Sequence, residues 1–131
     1  MANPNIVNVA TIQAGNAGWA LGTGLTTVLL TVGADVIVKI NSIICTNIHG
    51  TNAAALSLEI NGIGAGATGA VATNHLTTQV RIASTMNVPA DDSLVLIDKP
   101  IYLMENDILR GGASAASVLE LFASYEVIND A

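Results

Sequence analysis

Few residues in this chain are of a type and spacing that could do chemistry. Gly64-Ala-Gly66-Ala-Thr-Gly69 spells G-x-G-x-x-G after a predicted strand. A dinucleotide site needs those glycines at a strand-to-helix turn, with the helix N-terminus aimed at the pyrophosphate. Here Ala70-Val-Ala-Thr-Asn-His75 follows with no helical period, so residues 61–70 read as a surface loop. His49 lies in a turn beside Gly50, and His75 lies in a Thr/Asn-rich stretch. Neither belongs to an H-x-x-x-H spacing, and the single cysteine, Cys45, cannot complete a zinc set. Cys45 cannot form an internal disulfide either, and inside an apolar run it reads as a small buried hydrophobe. No G-x-S-x-G elbow is present. Asp91-Asp92 and Glu105/Asp107 are the acidic clusters, and they lack calcium-loop spacing. Carboxylates in turns more often hold backbone donors. The expectation is a protein that is not an enzyme, with no catalytic residue, no cofactor and no metal.

The bulk composition points the same way. Of 131 residues, 51% are apolar, 11% charged and 3% aromatic. Ordinary soluble domains carry about 25% charge. Scarce charge fits a chain that packs against copies of itself or a partner, because interface cores are depleted in charge. The net charge is −6, and the fixed cations are Lys39, Arg81, Lys99 and Arg110. A nucleic-acid binder needs clustered positive charge, and so does a protein that adheres to anionic membranes. Neither partner is expected. The opening Met1-Ala-Asn-Pro-Asn lacks the basic-then-apolar pattern of a secretory signal, and no apolar run reaches membrane-helix length, so synthesis in a cytoplasm is expected.

The elements that must carry these residues read as strands. Leu25–Val32 is aliphatic and β-branched. Val36–Asn47 alternates, with Ser42 breaking the parity of Val36, Val38, Ile40 and Ile44. Leu56, Leu58 and Ile60 face in, with Ser57 and Glu59 facing out. Gln79–Val88 reads as a strand with Val80, Ile82 and Met86 on one side, and Leu94–Ile97 as a short buried one. Three apolar runs fill Pro100–Ala131, and the last puts Leu119, Leu121, Ala123, Tyr125 and Val127 on one face. Gly111-Gly112 predicts a bulge or bend. Ile6, Val7, Val9 and Ile12 could form a strand, and Asn16 to Gly24 reads as a Gly-rich loop carrying Trp19. Residues 66–78 leave room for a helical turn. About eight or nine short strands with regular turn signals predict an all-β fold, an antiparallel jelly-roll-like or Greek-key β-sandwich. Residues 1–24 are assigned as an irregular N-terminal arm or edge strand, and 25–131 as one sandwich domain.

The last third carries a resemblance. Pro100, the apolar Ile101–Leu103, the acidic Glu105 and Asp107, the small-residue Ala113–Ala116 and the closing Ser124–Glu126 follow one another. This order resembles the C-terminal signature of small β-sandwich virion structural proteins of tailed bacteriophages, especially those infecting cyanobacteria. The resemblance is looser over Thr26–Ser57. It implies a bacteriophage structural protein, and a capsid decoration (cement) protein foremost. Such a protein would form a homotrimer on the capsid surface and clamp neighbouring major capsid protein subunits, adding interface area that stabilises the shell. A neck, tail or baseplate adaptor, or a fibre-associated protein, is the alternative location. A carbohydrate-binding sandwich is the rival of another class, disfavoured because sugar platforms use aromatic faces and this chain has only Trp19, Tyr102, Phe122 and Tyr125. Trp19 has two readings, more often a lid tucked back on its own domain's core and less often an anchor for a neighbour, since Trp is enriched at interface hot spots; on the second, Trp19 and Leu21, in the N-terminal segment Asn3–Thr23, are the candidate partner-binding residues.

Overall fold

The computed structural model describes residues 11–61 and 79–129. Alternation and β-branched content build nine strands: β1 (Thr11–Ala20), β2 (Thr27–Thr31), β3 (Val36–Asn47), β4 (Ala54–Asn61), β5 (Gln79–Val88), β6 (Ser93–Ile97), β7 (Ile101–Leu103), β8 (Ile108–Ala113) and β9 (Leu119–Asn129). One sheet has the order β1-β9-β3-β6, with β7 also on β3, and the other has the order β2-β8-β4-β5. All strand pairs are antiparallel. β6 pairs with Ile43–Thr46 and β7 with Val38–Ile40, so they are two pieces of one edge strand, interrupted at Asp98-Lys99-Pro100. Counted that way the two sheets have four strands each, in the order of a jelly roll. The expected all-β antiparallel sandwich is therefore what the chain forms.

The core lies between the sheets. β4 and β8 contribute Leu56, Leu58 and Leu109; β3 and β9 contribute Ile40, Ile43, Leu119 and Leu121, all at most 2% exposed. The mixed parity of β3 has a local cause. Its register with β9 shifts between Ile40 and Ser42. That bulge inserts one residue and flips the alternation. Val38 and Ile40 face the core before it, and Ile43 and Cys45 face the core after it.

Three local readings are corrected. Asn16–Ala20 is the second half of strand β1 rather than loop, paired with β9 over ten residues without a shift. Its glycines and alanines gave no alternation to read, and β9 supplies the order as a template. Gly111 and Gly112 are in-register strand residues against β4, not a bend. A Cβ on Gly111 would lie 2.9 Å from Leu58 Cδ2, and one on Gly112 would land on the Gly24 carbonyl. Gly111 leaves room for Leu58 and Leu29 of the neighbouring strands β4 and β2, and Gly112 for the backbone of the β1–β2 connection. In β5, Val80 and Met86 are 44% and 36% exposed while Ala83 and Val88 are buried, because two register shifts against β4 break its alternation. The readings over residues 1–10, the G-x-G-x-x-G segment, His75 and the helical turn at 66–78 lie outside the described residues.

Candidate interaction surface

The acidic turn singled out by sequence is structural. Glu105 and Asp107 point inward and are 3% and 4% exposed. The Asp35 amide donates to Glu105 Oε2 at 2.6 Å, and Asp35 holds a left-handed φ of 60° in the β2–β3 turn. The Met104 amide donates to Asp107 Oδ2 at 2.9 Å. Backbone bonds from Val32 N to Asp107 O and from Asn106 N to Val32 O complete the joint. The Glu105 carboxylate and these backbone bonds thus fasten the β7–β8 turn to the β2–β3 connection, while the Asp107 carboxylate holds its own turn.

The other candidates also serve the fold. Buried Asn47 donates from Nδ2 to Asn52 O (3.0 Å) and Val88 O (2.9 Å), and its Oδ1 accepts from the His49 amide (2.9 Å). His49 Nδ1 accepts from the Thr51 and Asn52 amides at 3.2 and 3.1 Å, which fixes that nitrogen as the lone-pair side. Cys45 is fully buried, and burial pushes its thiol up to about 11. Arg110 Nη1 stands 3.9 Å from Glu59 Oε1, a loose pair with the carboxylate buried. Among the described residues no three His, Cys, Asp or Glu side chains gather as a metal site. An open depression of about 400 Å3 is bordered by Thr23, Ser57, Arg81, Thr85 and Ser114. Its Ser57 and Ser114 hydroxyls accept from the Thr85 and Ala55 amides, which engages them in the strand framework.

What remains is surface chemistry on the β1-β9-β3-β6 sheet. Side chains directly opposite in antiparallel strands share a face. Gly18 is opposite Phe122, Phe122 opposite Ile44, and Ile44 opposite Val95. This row runs across all four strands on the solvent side, with Phe122 46% and Val95 56% exposed. The missing side chain at Gly18 leaves a shallow hollow bounded by Ile44, Thr46, Glu120 and Phe122. In a second row on the same face Ile12, 59% exposed, is opposite Ile128, which is opposite Ile37, and these last two are covered, at 6% and 5% exposed.

Of the two residues expected to bind a partner, neither is a free anchor. Trp19 is opposite Leu121 on the inner face and packs, half-buried, against the core. Leu21 is 1% exposed within that core, so it has no surface to offer. Phe122 was the residue to notice. It shares parity with Glu120, Ser124 and Glu126, the wet side of β9, which is legible from the sequence alone. Tyr102 is 48% exposed, whereas Tyr125 is half-buried with its ring against Gly15.

No family profile and no curated protein matches the chain. Among solved structures, it is similar to a chain from the structure described as "Bacillus endospore appendages form a novel family of disulfide-linked pili". The TM-score is 0.50 at 11% identity, covering 92% of this chain and 88% of that one. At that identity the likeness concerns the fold.

Proposed function

We propose that this chain is a non-enzymatic structural subunit of a bacteriophage particle, a decoration protein that associates with copies of itself and binds across major capsid protein subunits on the shell. The observation that carries the assembly part is the row Phe122–Ile44–Val95. These apolar side chains face solvent on a sheet whose neighbouring positions are Thr46, Ser93 and Glu120. A contiguous apolar strip rimmed by polar groups marks an interaction surface. The low overall charge supports the same reading, and the order of motifs in Pro100–Glu126 supports the virion part.

The pilus protein of similar fold lends support for assembly, since by its description it builds appendages. Its linkage is not open to this chain. The one cysteine is buried in the core with its thiol held protonated, so association here is non-covalent. Contacts would gain by repetition: many weak sites on a shell act together.

The test is location. An antibody raised against the purified chain should label the shell of phage particles produced from the genome that encodes it. Label confined to the neck or tail would replace decoration by the adaptor role. Particles without the chain would overturn the virion reading.

A further inference from the structure

The free edges of the two sheets are unequal. Natural sheets protect edges by brevity, charge, proline or bulges, because an open edge presents unpaired amides and carbonyls to any other strand. β2 has five residues and a register shift against β8. β6 has five residues and β7 three, and Asp98-Lys99-Pro100 separates them. β5 carries Arg81, two register shifts, and Thr85 at a φ of 49°, an angle that β-branched residues rarely adopt. β1 has none of these devices. It is ten residues long, its register with β9 is unbroken, and Thr11-Ile-Gln-Ala-Gly-Asn-Ala-Gly-Trp-Ala20 contains no charge and no proline. Among the described strands it pairs with β9 alone, and Thr11–Ala14, Asn16, Gly18 and Ala20 are exposed.

We infer that β1 is a docking edge whose occupant is β1 of a second copy, in an antiparallel pair about a twofold axis through Gly15, perpendicular to the sheet. Three observations select this partner and register. The edge is uncharged, so it meets its own copy without repulsion. With the axis at Gly15 the two edges pair over Thr11–Trp19, nine residues or about 31 Å. The face chemistry then matches. A twofold at Gly15 places Ile12 of the second copy opposite Gly18, in the hollow beside Phe122. Ile12 is the most exposed of the large apolar side chains described, and Gly18 is the one gap in the apolar row. Val95–Ile44–Phe122 in one copy would then run on into the exposed Ile12 of the other, twice over by symmetry. On the inner face Thr11 meets Trp19 of the second copy and Gln13 meets Ala17. An isologous contact closes on two copies. This surface therefore gives a dimer where the phage resemblance implies a trimer. The inference deepens the assembly reading above by naming the partner and the contact.

The experiment uses the full chain and two variants. Light scattering over a concentration series should give a dimer mass for the wild type. Ala14→Lys with Asn16→Lys sets lysines opposite one another across the axis, where like charges repel. Both sites are exposed, so the circular dichroism should be unchanged, while the dimer dissociation constant rises by at least roughly tenfold. Ile12→Cys with Gly18→Cys gives a positive readout. Opposed residues in antiparallel strands lie within disulfide reach, and six residues along one strand do not. A Cβ at Gly18 meets nothing closer than the Leu121 carbonyl at 3.5 Å, so the cysteine fits. Oxidation should yield a covalent dimer on a non-reducing gel, with neither single variant doing so. A monomeric wild type, an association that the lysine pair leaves unmoved, or a double-cysteine variant that stays monomeric on the gel each overturns the edge. The virion reading fails separately, by absence of the chain from particles, even if the lysine-sensitive dimer forms.

Discussion

Replacing Glu105 by alanine should test whether the acidic turn is a structural joint. The substitution removes the acceptor of a 2.6 Å bond from the Asp35 amide, at a site where the carboxylate is 3% exposed. A hydrogen bond to a charged group contributes roughly 1.5–3 kcal/mol, and stranding its buried partner costs in the same range. We take about 2 kcal/mol. For 131 residues the unfolding entropy is about 0.28 kcal/mol per kelvin, so the melting midpoint should fall by about 7 °C. Glu105→Gln keeps an oxygen acceptor and loses the charge, so its fall should be about half as large. Glu120→Gln, on the exposed face of β9, should stay within about 0.5 kcal/mol of wild type. The assay is thermal unfolding followed by circular dichroism, with urea unfolding as a second measure. A Glu105→Ala midpoint within 1–2 °C of wild type, or one indistinguishable from Glu120→Gln, would refute the claim that this carboxylate fastens the two turns.

Gly112→Ala should be far more damaging than an ordinary strand Gly→Ala change, because its Cβ would land on the Gly24 carbonyl, which is backbone. A loss of more than about 3 kcal/mol, or an insoluble product, is expected, and a soluble variant with a wild-type midpoint would show that the 22–25 segment can move aside. Cys45 should resist a thiol reagent in the native protein and react at once in urea. The folded thiol titrates near 11 against an ordinary 9.0. Stability from this group is therefore complete below about pH 9 and is lost as pH rises from 9 towards 11, since the unfolded state releases its proton first. Cys45→Ala should flatten that alkaline loss.

How much of this was legible varies by element. Val36–Asn47 and Gln79–Val88 match the observed strands end to end, because hydrophobic density over a long stretch with turn residues on both sides admits few other states. The buried face of β9 was equally legible from strict alternation. β1 was not. Ala14 to Ala20 contains alanine, glycine and asparagine around a single tryptophan, with no local preference for extension, and only ten cross-strand partners on β9 define it. The candidate site shows the same division. The parity of Phe122 was in the sequence, but its neighbours Ile44 and Val95 lie 78 and 27 residues away and meet it only through sheet pairing. Leu21 looked like a surface anchor beside Trp19, and β9 and β8 close over it instead.

The sequence by itself determined the class of fold, since period-two patterning and frequent turns leave a sheet sandwich as the way to bury 51% apolar residues without a helix. The tertiary structure decided which residues remain for contact. A one-residue bulge at Asn41 reassigns every side chain after it, two acidic side chains turn inward to meet amides, and the jelly-roll order leaves β1 at a sheet end. Each of these depends on pairing between distant segments. No local pattern encodes that pairing, because the free energy that selects it is released only when the two sheets close on a common core.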